Sequence, residues 1–477
     1  EHRPQPTLRR SALLTATFVR RTARIDPWWV VVTVLYLALG TTYLCLGLWR
    51  YRIFRAGVDD GIFTQVGNSI SHGFSSTIGD NANHMLIHCS PILILTAPFI
   101  KLFGGAPGLI GLQAFACAAV VFPVFAFAAW RFSKTVALAI TLIAACYPPL
   151  SGVAIGDFHE LAFVPPIAAG LVLAIDRRAW RFAIAAAVAL ACVKEDQFVA
   201  LAFIGAILAI DSRGDKEKRI CGTWILSIGA AGALLYFGVI RPAIDPHFPY
   251  WSFHYYQWWW FPATPLGFAG WNSPLRFQYL VAALSPLGFL PLLSRRYLIF
   301  TLPGLAEVML SHEAITLFIG THYSATWCGY MLCAFVEGAA WLAARSMVLA
   351  KLVLVAAFGV SIWTSEYYSP TSPGYFLARK PDANDALEEQ ALSSLPTNAT
   401  IWSNERIFAH LGLHPNAMTY GTNQDFRIYD VVEDAAAWNG SDIRELLRAH
   451  VYSIALRRGN LVVLRATQSL SSRNRQR

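Results

Sequence analysis

The sequence predicts an α-helical polytopic membrane protein of about eleven transmembrane spans, followed by a small C-terminal α/β domain outside the membrane. Three observations predict it. Of 477 residues only 14% are charged and 55% are hydrophobic, where soluble domains carry roughly 25% charged residues. The mean hydropathy is +0.44, and the apolar residues fall in repeated long runs. The Lys/Arg-rich connections fall at alternate ends of those runs, as the positive-inside rule requires.

The elements follow in order. Residues 1–26 form a basic N-terminal segment with Arg9, Arg10, Arg20, Arg21 and Arg24, expected to stay inside and to be retained as the flank of a first span at 28–48. Residues 52–83 are a polar outer stretch with a helical pattern around 60–70. The run 89–103 contains two prolines and is short for a span of roughly 20 residues, so it reads as an interfacial or re-entrant helix on the outside. Further spans are expected at 108–130, 136–148, 161–175, 182–193, 198–210, 220–240, 275–293, 297–310, 323–342 and 348–363. The connections at 131–134, 176–181, 211–219, 294–296 and 345–351 hold the Lys/Arg excess, and all of them then fall inside. The membrane domain is thus 27–365, with an outer loop at 51–106 and a second, aromatic one at 241–274.

Residues 366–382, with "SPTSPG" and "RKPDAND", read as a linker. Between 383 and 467 the pattern is a helix at 383–394, a strand at 399–403, a helix at 404–411, and strands at 417–420, 451–456 and 460–466. This is a small α/β domain, and span parity puts it outside. Residues 468–477 are a basic tail.

The ionisable residues away from the basic inner loops collect on one side. The outer face receives Asp59, Asp60, His72, Asp80, His84 and His88; Asp157, His159 and Glu160; Lys194, Glu195 and Asp196; Arg241, Asp245, His247 and His254; and Glu307, His312, Glu313 and His322. Ionisable groups at membrane depth line wet cavities and pair with one another, so "GDFHELAF" (156–163) is expected to be one wall of an outward-facing polar cavity. Individually, each could be a hairpin residue in water. "DFHE" also offers oxygen and imidazole ligands, which makes Asp157, His159 and Glu160 candidates for a divalent ion. Gly-rich phosphate loops and HExxH are missing from the sequence, so no nucleotide is expected at the site. The net charge of +9 belongs to the membrane flanks and predicts no nucleic-acid partner. The aromatic stretch 250–262 suits a membrane interface or a surface that stacks on a sugar or an isoprenoid. The eight cysteines, mostly in or beside apolar runs and without a CxxC pair, read as small core residues.

"VDDGIFTQ" (58–65), "HCSPIL" (88–93), "DFHELAFVPP" (157–166), "VKEDQFVAL" (193–201), "PLGFLPLLSRRYLIFTLPGL" (286–305) and "HYSA" (322–325) occur in this order. Together they resemble a family of bacterial polytopic proteins, domain of unknown function 2079. "ALSSLPTNATIWSNERIFAHL" (391–411) resembles its outer C-terminal region. That family is similar to the GT-C glycosyltransferases, which use polyprenyl-phosphate sugars. The resemblance implies a GT-C-like membrane domain in a bacterial inner membrane, with the N-terminus cytoplasmic and the C-terminal domain periplasmic. It implies transfer from a polyprenyl-phosphate-linked sugar to an envelope glycan, lipid or protein. Asp59 matches the loop acid of the family; Asp60 stands beside it, and the choice between the two as catalytic residue stays open.

In that expectation Asp59 is the general base, and Lys194, with Arg241, stabilises the leaving phosphate. Asp157, His159 and Glu160 orient the acceptor or hold an ion, and Glu195 and Asp196 keep Lys194 charged. His84, His88, His322 and Tyr323 complete the substrate-binding set. Two rival classes remain. A transporter or flippase needs polar groups at mid-membrane and repeated halves, and a non-catalytic envelope-assembly scaffold predicts an exposed outer domain but gives no reason for acids and a lysine beside the spans. Convergence of Asp59, Asp157, Glu160 and Lys194 in one cavity separates the three.

Overall fold

The computed structural model describes residues 26–79, 81–250, 255–256, 273–367, 379–419, 430–434, 447–450, 452–459 and 461–467. Helix α1 spans Pro27–Arg52. Its start is fixed by Asp26, whose side chain accepts the Trp28 N–H at 3.1 Å, and by Pro27 in the first turn, where a missing N–H costs nothing. At 26 residues it is long enough to cross a bilayer. The chain then leaves the bundle. Helix α2 (Val58–Asn68) follows, then 3-10 turns at Thr77–Gly79, His84–Leu86 and Pro91–Leu95, then α3 (Thr96–Phe103).

Helices α4 (Ala106–Ala118) and α5 (Val121–Ala129) form one apolar run long enough to span. Helix α6 (Lys134–Ala145) meets α7 (Pro148–Ile155) at a 54° bend, because Pro148 and Pro149 can neither donate to the preceding turn nor let the residue before them stay helical. Next come α8 (Val164–Asp176), α9 (Trp180–Ala191), α10 (Asp196–Ile210) and α11 (Lys216–Leu235). A π-turn at Tyr236–Ile240 carries α11 into α12 (Arg241–Ile244). A Cβ on Gly205, Gly222 or Gly229 would collide with backbone of the facing helix, so α10 and α11 touch backbone to backbone.

After α13 (Ser273–Leu284) the expected continuous span at 275–293 does not form. The helix stops at Leu284 and two 3-10 turns follow, Ser285–Leu287 and Leu290–Leu293, with Gly288 and Phe289 left-handed at φ 59° and 55°. Pro286 and Pro291 remove the donors a helix would need. The run at 297–310 likewise splits into a 3-10 turn, Leu298–Thr301, and α14 (Leu302–Leu310). Helix α15 (Ala325–Ala343) is buried over most of its length and forms the centre of the bundle, with Trp327 and Tyr330 fully enclosed. Helix α16 (Met347–Tyr367) closes the membrane domain.

By length and composition, four helices among the described residues can each cross a bilayer, and the bent α6–α7 pair makes a fifth. The remaining apolar helices are shorter than the eleven-span expectation requires.

The C-terminal part contains helices at Ala383–Ser393 and Glu405–Phe408 and five strands: β1 (Ile401–Ser403), β2 (Ala417–Thr419), β3 (Asp430–Asp434), β4 (Tyr452–Arg458) and β5 (Leu461–Ala466). They form one sheet in the order β2-β1-β3-β5-β4. The β1–β2 and β1–β3 pairs are parallel; β3–β5 and β4–β5 are antiparallel. Strand β3 was not expected from the sequence. "DVVED" places two valines among three acids and lacks the alternation that marks a half-buried strand.

Candidate active site

Three segments are knotted together beside α2. Arg50, in the last turn of α1, is buried and forks between two carboxylates. Its Nη2 reaches Asp60 Oδ2 at 3.0 Å and its Nη1 pairs with Asp157. Asp60 is fully enclosed and also accepts the Phe158 N–H at 2.8 Å. Asp157 accepts the Gly57 N–H at 2.8 Å, so it caps the start of α2 from a different segment. Glycine at 57 leaves room for this carboxylate, since a Cβ there would lie 2.0 Å from Asp157 Oδ2 and displace it. Gln113 holds the other side of the turn, donating to the Gly156 carbonyl at 2.9 Å and accepting the His159 N–H at 2.8 Å.

This knot leaves Asp59, one position before Asp60 on α2, facing a cavity of about 640 Å³. The Asp59 side chain makes no hydrogen bond or ion pair among the described residues. Burial, reinforced by the charges of Asp157, Asp60 and Glu160, holds its carboxyl well above the ordinary carboxylate value.

Lys194 faces the same cavity from the turn before α10. Only 7% of it is exposed, and its Nζ lies 3.8 Å from Oε1 of the fully buried Glu160. Burial alone would push the amine down, but Glu160, Asp196 and Glu195 outweigh it and keep the ammonium charged. Glu160 Oε2 lies 3.0 Å from His159 Nδ1, and the His159 ring stacks on His322 at 3.9 Å. Burial pushes both imidazoles well below their ordinary pKa, so the pair stacks uncharged.

Glu195 accepts from the Cys89 N–H at 2.8 Å and from the Tyr250 hydroxyl at 2.9 Å, and pairs with His88 Nδ1 at 2.8 Å. Burial works to raise its carboxyl, yet His88 and Lys194 prevail and hold it below the carboxylate range. Asp196, Glu307, Tyr255, Tyr256 and Tyr323 complete the polar lining. The Tyr255 and Tyr323 hydroxyls are 3.2 Å apart. Val199, Phe237, Pro303 and Leu310, from α10, the π-turn and α14, give one side an apolar wall.

Of the residues singled out in the sequence, Asp59, His88, His159, Lys194, Glu195, Asp196, His322 and Tyr323 line this one cavity. Glu160 lies beneath Lys194, while Asp60 and Asp157 are consumed by Arg50. His84 is buried behind the wall, edge-on to Phe63 and Phe74. Arg241 donates to the Leu86 and Phe248 carbonyls at 3.0 and 3.1 Å and covers the Tyr250 ring. It braces the loop and is not among the residues that line the cavity.

The candidate metal set Asp157, His159 and Glu160 does not converge. Asp157 turns toward Arg50, while His159 and Glu160 face each other. Among the described residues no group of three or more His, Cys, Asp or Glu is arranged to hold an ion. Asp80 and His254 lie outside the described residues, as does most of the aromatic stretch. The sequence reading passed over Arg50 and Gln113. The available signal was an arginine kept in the last turn of an apolar span, which must find buried partners.

Comparison with solved structures shows the fold. The chain is similar to ArnT from Cupriavidus metallidurans bound to undecaprenyl phosphate, at 11% identity and a TM-score of 0.57, covering 92% of this chain and 98% of that one. The apo state of the same ArnT gives 12% identity and a TM-score of 0.54, covering 91% and 98%. The Archaeoglobus fulgidus oligosaccharyltransferase in complex with Zn and sulfate gives 13% identity and a TM-score of 0.42, covering 88% and 73%. The two ArnT comparisons, each with a TM-score above 0.5, show that this chain shares the ArnT fold. No curated protein matches it. The family model for "Predicted membrane protein (DUF2079)" matches residues 50–436, most of the chain; the protein belongs to the DUF2079 family of membrane proteins.

Proposed function

We propose that this protein is a membrane glycosyltransferase that moves a sugar from a polyprenyl phosphate to a cell-envelope acceptor, with Asp59 as general base. The observation that carries this reading is that an unpaired carboxylate and a buried ammonium, Asp59 and Lys194, line the same cavity beside an apolar wall. The acceptor hydroxyl attacks the anomeric carbon. Its proton passes to Asp59 as the C1–O bond to phosphate breaks, and the bonding pair leaves with the polyprenyl phosphate. A direct displacement of this kind inverts the anomeric centre. A positioned base contributes about 10²–10⁴-fold, and Asp59, with its raised proton affinity, suits that task. Lys194 meets the charge developing on the departing phosphate.

Lys194 is the single Lys or Arg among the described residues lining the cavity, against the acids Asp59, Glu195, Asp196 and Glu307. The stretch 251–272 adds no Lys or Arg in sequence. One cation suits a single phosphate, in keeping with the undecaprenyl phosphate bound by ArnT. The tail would lie against Val199, Pro303 and Leu310. The rings of Tyr250, Tyr255 and Tyr323 line the cavity and offer flat faces to a sugar. Asp60 and Asp157 serve as the struts that aim α2.

In this reading the membrane is the bacterial inner membrane, the N-terminus is cytoplasmic, and the cavity and the 383–467 domain are periplasmic. The test is incubation of purified protein with a panel of radiolabelled polyprenyl-phosphate sugars. Consumption of at least one donor is expected. Binding of no donor and no undecaprenyl phosphate would end the proposal.

A further inference from the structure

Helix α2 is gripped on the side away from the cavity, and the grip comes from the C-terminal domain. At 100° per residue, Gly61, Thr64 and Gln65 sit about 200°, 140° and 240° round the helix from Asp59. The ring of Phe408 fills the space over Gly61, where a Cβ would come within 2.4 Å of it. Gly412 lies against Thr64, where its own Cβ would be 2.5 Å from the threonine Cβ.

Gln65 is buried. Its Nε2 donates to the His414 and Ala417 carbonyls, both at 3.0 Å, and its Oε1 accepts from Ser76 Oγ at 2.9 Å and from the Thr77 N–H at 3.0 Å. Ala417 opens strand β2, so one carboxamide ties the helix, the outer loop and the edge of the sheet. Thr77 Oγ1 also reaches both Gln65 Oε1, at 3.0 Å, and the Ala417 carbonyl, at 2.5 Å. A side chain with this many fixed partners has no alternative rotamer that keeps them.

We infer that the five-stranded domain is a working part of the site. It holds the rear of α2, and Gln65 is the positioning residue through which it sets the first turn of that helix, and so Asp59, against the cavity. The inference rests on the reading of Asp59 as base. It gives the domain a role in the transfer step itself. Lys194 and the apolar wall belong to the turn before α10, to α10, to the π-turn and to α14, none of which α2 carries, so lipid binding should be indifferent to Gln65.

The test is Gln65→Leu, which keeps a side chain of similar reach and removes every hydrogen bond the carboxamide makes, leaving the Thr77–Ala417 bond in place. A base displaced by about 1 Å costs on the order of a hundredfold, so kcat on a donor the wild type consumes should fall about 10–100-fold at near-constant KM. Undecaprenyl phosphate affinity should stay within about twofold, and amide exchange over 58–64 should accelerate about tenfold. Unchanged exchange over 58–64, with faster exchange only in 401–419, would overturn the inference, as would kcat and lipid affinity falling together. Thr77→Val, which removes fewer bonds, should show the same pattern in smaller measure, and it reads out the inference if Gln65→Leu does not fold. The exchange arm needs no substrate. A wild type that binds no polyprenyl phosphate would therefore refute the proposed function without touching this result.

Discussion

Lys194→Met removes one charge and keeps the hydrocarbon stem. In the native site Lys194 is 7% exposed, and the acid nearest its ammonium is Glu160 at 3.8 Å. That spacing leaves its donors able to turn to a ligand. A hydrogen bond to a charged group contributes about 1.5–3 kcal/mol. At about 2 kcal/mol, loss of the contact with phosphate weakens binding of undecaprenyl phosphate roughly 30-fold. The same change leaves the fully buried Glu160 with His159 alone, and breaking a buried pair costs about 3–5 kcal/mol. The single variant should therefore also melt at a lower temperature.

Lys194→Met/Glu160→Gln separates the two effects. Neutralising the carboxylate should restore most of the melting temperature and none of the lipid affinity. Both variants would be compared with wild type by thermal unfolding and by titration with undecaprenyl phosphate in nanodiscs. Wild-type affinity in the double variant would refute Lys194 as the phosphate contact. Affinity restored in step with stability would show that the single variant's loss was one of folding.

Asp59→Asn should lose about 10²–10⁴-fold in donor turnover, while undecaprenyl phosphate binding stays near normal in a titration. Because burial and three neighbouring acids raise the Asp59 carboxyl, the ionised base should be lost on acidification at a pH above the ordinary carboxylate value of about 4. Asp157→Asn removes one of those charges and should move the acid limb of the rate profile to lower pH. His84 is buried, and burial pushes its pKa down to about 4. Between about 6.5 and 4 the unfolded chain takes a proton that the folded ring refuses. Stability should thus fall as pH drops through that window, and His84→Phe should flatten the decline in thermal unfolding. Gly57→Ala places a methyl on Asp157; it should cost about 1–3 kcal/mol in denaturant unfolding and reduce turnover with it.

Much of the site was legible because charge is costly beside a membrane. "DFHE" and "KED" flank apolar runs, and both segments contribute to the cavity. The pattern could not distinguish Asp59 from Asp60. They are sequence neighbours about 100° apart on a helix, and only the position of Arg50 decides which one is enclosed. Arg241 is the contrary case. It has the charge a phosphate needs, but two of its donors go to the Leu86 and Phe248 carbonyls, and it is not among the described residues that line the cavity. Gln65 left no trace in the sequence, since a neutral carboxamide in a short helix shows its worth only through partners some 350 positions away. In the fold, apolar runs predicted helices well where no proline interrupted them. The run at 275–293 failed at Pro286, Gly288 and Pro291, and β3 was hidden by its acidic flanks.

The central claim is tested most directly by a structure of the protein with undecaprenyl phosphate. The account predicts the phosphate within hydrogen-bond reach of Lys194 Nζ, about 3 Å, with the isoprenoid tail along Val199, Pro303 and Leu310 and Asp59 across the cavity from the phosphate. A lipid phosphate seated on another cation, with this cavity left without it, would contradict the account.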